Sequence, residues 1–305
     1  MRLEKTRTDI DYGNYGVASC KTQELNADII EICESRIYEH PKEALNKIPL
    51  KKMNKELINS IAHYVEQHIG EFHANRIAKL QTINLKELLS RKNPYMFKAK
   101  NLITAGGMVE SLAAATMSSA EESIFGNWME GVAMFVAGKV YGGYKSSAEG
   151  IDLEFDKDGV HYFVSVKSGP AWSNSTSMKK QKEQFRTARR VFNTSRKTVP
   201  TMCIEGCCYG NDNKGYNDSD HEKFCGEKFW TLISGEPTLF VDIIEPLGFK
   251  AKEKNEEYFK EYSRMINKFT QEFIQDYCND NGDIEWEKIV RLNAAIKPIK
   301  KSKKD

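Results

Sequence analysis

Residues 149–168 read EGIDLEFDKDGVHYFVSVKS, two mainly apolar runs around Asp158-Gly159. Asp-Gly between alternating runs is a strong signal for a two-residue hairpin turn. Strand side chains alternate faces, so Ile151, Leu153 and Phe155 take one face and Asp152 and Glu154 the other. On the return strand Val160, Tyr162, Val164 and Val166 share a face, opposite His161, Phe163, Ser165 and Lys167. Pairing Lys157 with Val160 across the turn sets Asp152 opposite Ser165, with Lys167 diagonal on the same face. A carboxylate, a hydroxyl and an ammonium therefore converge, backed by an apolar face.

An ordinary amphipathic hairpin with solvated charges has the same alternation. Three features weigh against it. YFVSVKS is too apolar for an edge strand, which buries Lys167 in part. A partly buried lysine needs an anionic partner. A basic helix follows at once. Such a patch suits metal-assisted phosphodiester cleavage, in which carboxylates hold Mg²⁺ and a lysine works on the water and the phosphate.

These positions resemble the PD-(D/E)XK nucleases, in which an Asp on one strand precedes [D/E]-x-Lys on its partner. Here they are Asp152, Ser165 and Lys167. Ile151 stands in place of the family's Pro, and Ser165 in place of its second acid. The segments KNPYMFKAKN, SSAEESIFGNWME, EGIDLEF, VSVKSGPAWSNS, GCCYG, CGEKFWTLISG and IIEPLG are similar to type II restriction endonucleases of the PmeII-like group, from Lys92 to about Gly248. The resemblance implies a mixed β-sheet flanked by helices, Mg²⁺ as cofactor and a double-stranded DNA substrate. It leaves three acids to replace the one missing at Ser165. Glu183 lies on the helix after the lysine strand, where some S-x-K enzymes place it. Glu130 lies on the preceding core helix, and Glu154 on the strand itself. Asp152, Lys167, Ser165, Glu183 and Glu130 are the expected catalytic set; Asp152, Glu183, Glu130 and Glu154 are the expected metal ligands.

DNA contacts are expected beside this patch. Residues 179–197, KKQKEQFRTARRVFNTSRK, hold eight basic residues and one acid, Glu183. On a helix, Lys179, Lys182, Arg186, Arg189 and Arg190 fall broadly along one side, with Lys180 close by, which suits phosphate contacts. A solvated basic face is the simpler reading. The preceding loop offers Trp172, Ser173, Asn174 and Ser175 for phosphates or base edges.

The rest of the chain frames this core. Its 305 residues carry a net charge of only +2, so no global field draws it to nucleic acid or membrane. Seven cysteines, a charged N-terminus and the lack of an apolar run of ~18 residues point to a cytoplasmic protein with reduced thiols. Helical spacing predicts helices through 22–90, a break at Pro94, and two helices before the hairpin. The second of these starts near Ser118-Ser119 and stops at Gly142-Gly143. A helix is predicted over 176–194, a buried strand in TVPTMCIEGCCYG, and a loop in NDNKGYNDSDHEK. PTLFVDIIEPLG reads as a strand or the start of a helix, and Lys252 to about Cys278 as a helix, with a basic tail at KPIKKSKKD. The expected organisation is a helical region over 1–100, an α/β (α+β) nuclease core over 101–250, and C-terminal helices with the tail over 251–305.

Competing sites are weaker. Cys203, Cys207, Cys208, His221 and Cys225 lack metal-site spacing and read as small core thiols. No phosphate-binding G-x-x-x-x-G-K-[ST] loop is present. The expectation is a Mg²⁺-dependent, site-specific restriction endonuclease leaving 5′-phosphates. It would act as a homodimer, with a cognate DNA methyltransferase as functional partner and no membrane role. Ser165 keeps alive a DNA-binding module that has lost cleavage; a repair or RNA nuclease is the other alternative.

Overall fold

In a computed structural model, residues 55–195, 198–215 and 221–296 are described. The helices expected from TQELNADIIEICESRIYEH and the basic tail from Lys297 lie outside them. The described residues begin with α1 (Lys55–Thr82), which buries Leu57, Ile61, Val65 and Ile69 at helical spacing. Two short helices follow, α2 (Leu85–Arg91) and α3 (Pro94–Ala99). Pro94 does not merely interrupt the pattern. It occupies the first turn of α3, where its missing N–H costs nothing, and Asn93 caps that turn.

The next element corrects the reading of two helices. Residues Ala105–Tyr141 form one continuous helix, α4, capped by Thr104 and ended at Gly142 with φ 67°. Ser119 does not start a helix there. Its hydroxyl donates to the Ala115 carbonyl at 3.3 Å, and the Ser123 hydroxyl to Ser119 at 3.1 Å. Serine hydroxyls that bond back one turn sit inside a helix without capping it.

Six strands form one mixed sheet: β1 (Tyr144–Lys145), β2 (Leu153–Lys157), β3 (Val160–Lys167), β4 (Thr201–Cys207), β5 (Lys214–Gly215) and β6 (Glu222–Cys225), in the order β1-β2-β3-β4-β6-β5. The pairs β1/β2, β2/β3 and β5/β6 are antiparallel, and β3/β4 and β4/β6 parallel. The hairpin has the predicted register, with Lys157 opposite Val160 and positive φ at both Asp158 and Gly159. The basic helix α5 (Ser175–Ser195) makes the crossover from β3 to β4. The stretch read as a polar loop after β4 instead contributes β5 and β6, because Lys223 and Cys225 pair with Glu205 and Cys207.

After the sheet come α6 (Glu227–Ser234), α7 (Leu239–Asp242), α8 (Ile244–Leu247), α9 (Ala251–Tyr277) and α10 (Trp286–Ala294). PTLFVDIIEPLG thus forms two short helices. One face of the sheet presents Leu153, Phe155, Val164, Val166 and Ile204 to α1, α4 and α6, around Val132, Val136, Phe229 and Trp230. Each such side chain contributes ~1.5–3 kcal/mol when fully buried. A second cluster joins α2, α3, the first half of α4, α9 and α10. The other face of the sheet lies under α5, where Phe163 and Cys203 meet Phe185 and Ala188. No helix among the described residues is long and apolar enough to cross a membrane.

Candidate active site

Asp152 stands just before β2. Its backbone N–H donates to the Val164 carbonyl at 2.9 Å, which continues the hairpin ladder and puts it beside Ser165. Gly150 sets the entry. Its φ is +76°, which favours glycine, and a Cβ there would lie 2.1 Å from the end of the Gln184 side chain on α5, which would have to move. The Asp152 Oδ2 atom accepts from the Val166 N–H at 2.7 Å and the Ser165 hydroxyl at 3.3 Å. Lys167 Nζ lies 3.7 Å from the same oxygen, both side chains about one-fifth exposed, and donates to the Val166 carbonyl at 3.1 Å. Carboxylate, hydroxyl and ammonium thus meet at the end of β3.

A second carboxylate, Glu130 on α4, lies within electrostatic reach of Asp152. The helix passes so close to the end of β3 that a Cβ on Gly126 would be 3.4 Å from the Ser168 Cβ. One turn on, burial pushes the Glu130 carboxyl above the usual carboxylate range, and Asp152 pushes it further, against the pull of Lys145 and Lys167. Lys145, on β1, was not singled out in the sequence.

Glu183 and Glu154 are placed elsewhere. Glu183 is 70% exposed, pairs with Arg186 at 3.8 Å, and lines a groove with Glu149, Lys180 and Gln184. Glu154 is buried and accepts from the Tyr144 hydroxyl at 3.1 Å, from Ser146 and from His161 Nε2 at 3.0 Å. His161 is itself buried, with its Nδ1 2.7 Å from Asp156, and it stacks on Phe192 of α5.

Along α5 the side chains divide. Phe185 and Ala188 are buried against the sheet, while Lys179, Lys180, Arg186 and Arg190 are exposed. Lys180 pairs with Glu149 at 3.1 Å, and Lys182 is half-buried. Arg189 turns inward and reaches the Cys203 sulfur at 3.3 Å. Asn174 caps the helix, its Oδ1 accepting from Thr176 N at 3.1 Å and Ser177 N at 3.0 Å, beside half-buried Ser173 and exposed Ser175.

Sequence reasoning passed over Glu205. It pairs with Ser165 across β3/β4, so both side chains share a face, and it is only 1% exposed. Trp172 Nε1 donates to its Oε1 at 2.9 Å, Lys223 Nζ lies 3.4 Å from Oε1, and His221 Nε2 lies 3.6 Å from Oε2. Burial alone would raise its pKa, but the His221 and Trp172 contacts and the Lys223 charge hold it below the usual carboxylate value. A lone acid in an apolar strand, TMCIEGCC, was the available signal, since a buried charge demands partners.

Among the described residues, no three His, Cys, Asp or Glu side chains stand close enough together to hold a metal. Two carboxylates are nevertheless sufficient for Mg²⁺, which keeps several waters and takes one or two acids with phosphate oxygens. Asp152 and Glu130, whose charges interact, offer two such acids.

Residues 59–255, nearly two thirds of the chain, match the family model described as type II restriction endonuclease EcoO109I. The chain belongs to this restriction endonuclease family. Within the restriction endonuclease family match lie Glu130, Asp152, Ser165, Lys167 and Glu205, together with the whole sheet. No curated protein matches the chain.

Proposed function

We propose that this protein is a Mg²⁺-dependent, site-specific endonuclease that hydrolyses double-stranded DNA and leaves 5′-phosphates, built on the PD-(D/E)XK plan and nearest in character to the PmeII-like enzymes. The observation that carries the reading is the Asp152–Lys167 pair at the end of β3, with Glu130 in electrostatic reach of it, in a chain of this family. Asp152 and Glu130 would hold the cation, which supplies Lewis-acid polarisation of the scissile phosphate. Lys167 orients the attacking water and offsets charge gathering on the phosphorus. Ser165 donates to Asp152 and fixes its orientation.

This reading assigns the place of the acid missing at Ser165 to Glu130 rather than Glu183. Glu130 is half-buried and feels the Asp152 charge, whereas Glu183 is exposed and paired with Arg186. Lys179, Lys180, Arg186 and Arg190 on the outer side of α5 would contact phosphates, with salt-sensitive affinity. Double-strand cutting at a symmetric site calls for a homodimer, and a cognate DNA methyltransferase would protect the host's own sites.

Plasmid cleavage in Mg²⁺ tests the reading. Wild type should convert supercoiled DNA to discrete linear products, while Asp152→Ala and Lys167→Ala should lose about a thousandfold in rate. Scattered ends would point to a degradative nuclease. Ser165, which puts a hydroxyl where an acid is expected, favours one other reading, a DNA-binding module without cleavage. Wild type that binds duplex and never nicks it would establish that instead.

A further inference from the structure

The end of β3 and the loop after it, from Lys167 to Asn174, are fastened at four points. Cys208 N donates to the Lys167 carbonyl at 2.9 Å and Tyr209 N to the Ser168 carbonyl at 3.2 Å. Lys223 Nζ donates to the Pro170 carbonyl at 2.9 Å, and Trp172 Nε1 to Glu205 Oε1 at 2.9 Å. Only the last of these fixes a side chain that touches the candidate site. The Trp172 ring lies 5.0 Å from Lys167 Nζ, within cation–π range.

We infer that Glu205 and Trp172 are positioning residues for Lys167: the buried carboxylate fixes the indole, and the indole face holds the ammonium beside Asp152. The inference rests on the cleavage reading above. Lysine has a flexible four-carbon stem, and its other restraints are the Val166 carbonyl at 3.1 Å and Asp152 at 3.7 Å. A third wall confines it. Tryptophan suits that wall because it combines a π face with one N–H donor. Glu205 suits the anchor because a charged acceptor strengthens the bond to the indole.

The competing role for Glu205 is that of the missing metal ligand, since it flanks Ser165 on the side away from Asp152. Its burial and its pairing with Lys223 oppose this, because Lys223 already supplies a countercharge. Phosphate contact is the competing role for Trp172.

The test is steady-state cleavage by the full chain of a duplex spanning a mapped cut site, with Lys167→Ala as the inactive reference. Trp172→Phe keeps a ring and removes the donor. It should lower kcat about tenfold, the size of one charge-assisted hydrogen bond, with KM for DNA unchanged. Glu205→Gln should lower kcat without altering the Mg²⁺ concentration needed for half-maximal rate. The double variant should be no slower than Trp172→Phe, because both act through one bond. The indole N–H resonance that vanishes in Trp172→Phe should move upfield in Glu205→Gln. Full kcat in Trp172→Phe, a raised KM with kcat kept, losses that multiply in the double variant, a Mg²⁺ requirement that rises in Glu205→Gln, or an unmoved resonance would each overturn the inference while wild type still cuts. Wild type that never cuts overturns the cleavage reading and this inference with it.

Discussion

Asp152 and Glu154 sit two residues apart on one side of the same hairpin strand, yet their surroundings are opposite. Glu154 is buried and receives three donors, from Tyr144, Ser146 and His161, and the histidine is closed on its far side by Asp156. Asp152 is more open: it accepts from the Val166 N–H and the Ser165 hydroxyl, meets its lysine at 3.7 Å, and feels the charge of a second acid, Glu130. The first carboxylate belongs to a finished network that joins β1, β2 and β3. The second belongs to a looser arrangement of two acids and two lysines, in which a divalent cation could take a place. Proximity in sequence thus says little about role; the surrounding groups say more.

The comparison breaks first at Glu130. Glu130→Gln should slow Mg²⁺-dependent cleavage about a hundredfold, whereas Glu183→Gln should cut at close to the wild-type rate. Equal rates for both variants would remove Glu130 from the looser arrangement. A stability measurement comes next. Glu154→Ala leaves His161 and Tyr144 without their shared acceptor and should cost ~1–3 kcal/mol, read as a lower denaturant midpoint, while the folded protein still cuts. Loss of cutting at full stability would place Glu154 with Asp152 after all. A smaller effect is expected from Gly150→Ala, which forces a left-handed residue and a clash with Gln184. About 1 kcal/mol of stability should go, with a drop in rate as Asp152 shifts. The smallest effect concerns thiols. Burial pushes the Cys208 thiol up to about 12, so Cys208 should resist alkylation in the native protein and react only on unfolding, as mass spectrometry of the peptides would show.

Much of this was legible in the sequence. The Asp158-Gly159 turn fixed a register that set Asp152 beside Ser165, and alternation separated core from site. Buried β4 was legible too, as an apolar run between turn residues. What escaped depends on partners distant in sequence. Ser118 and Ser119 look like a helix start, but serine caps only when the backbone before it leaves the helix, and neighbouring apolar residues keep α4 continuous. The polar stretch before Cys225 looks like a loop because β6 is short and its Lys223 is buried through partners elsewhere in the chain, Glu205, Asp212 and Pro170. Glu205 itself reads as an oddity in an apolar strand until Trp172, His221 and Lys223 are folded against it. The choice between Glu130 and Glu183 also lay beyond spacing, since both fall on helices that could face Asp152.

The unbroken α4 has a consequence of its own. At 1.5 Å per residue its 37 residues span about 55 Å. Its first half is embedded in the cluster with α9 and α10, and its second half packs on the sheet. Glu130 is thus mounted on a beam clamped in two separate foundations. The gap between the acids at the end of β3 is set by how both foundations are packed. A repacking substitution near Met117, far from Asp152, would therefore act on Glu130 through the helix that carries it.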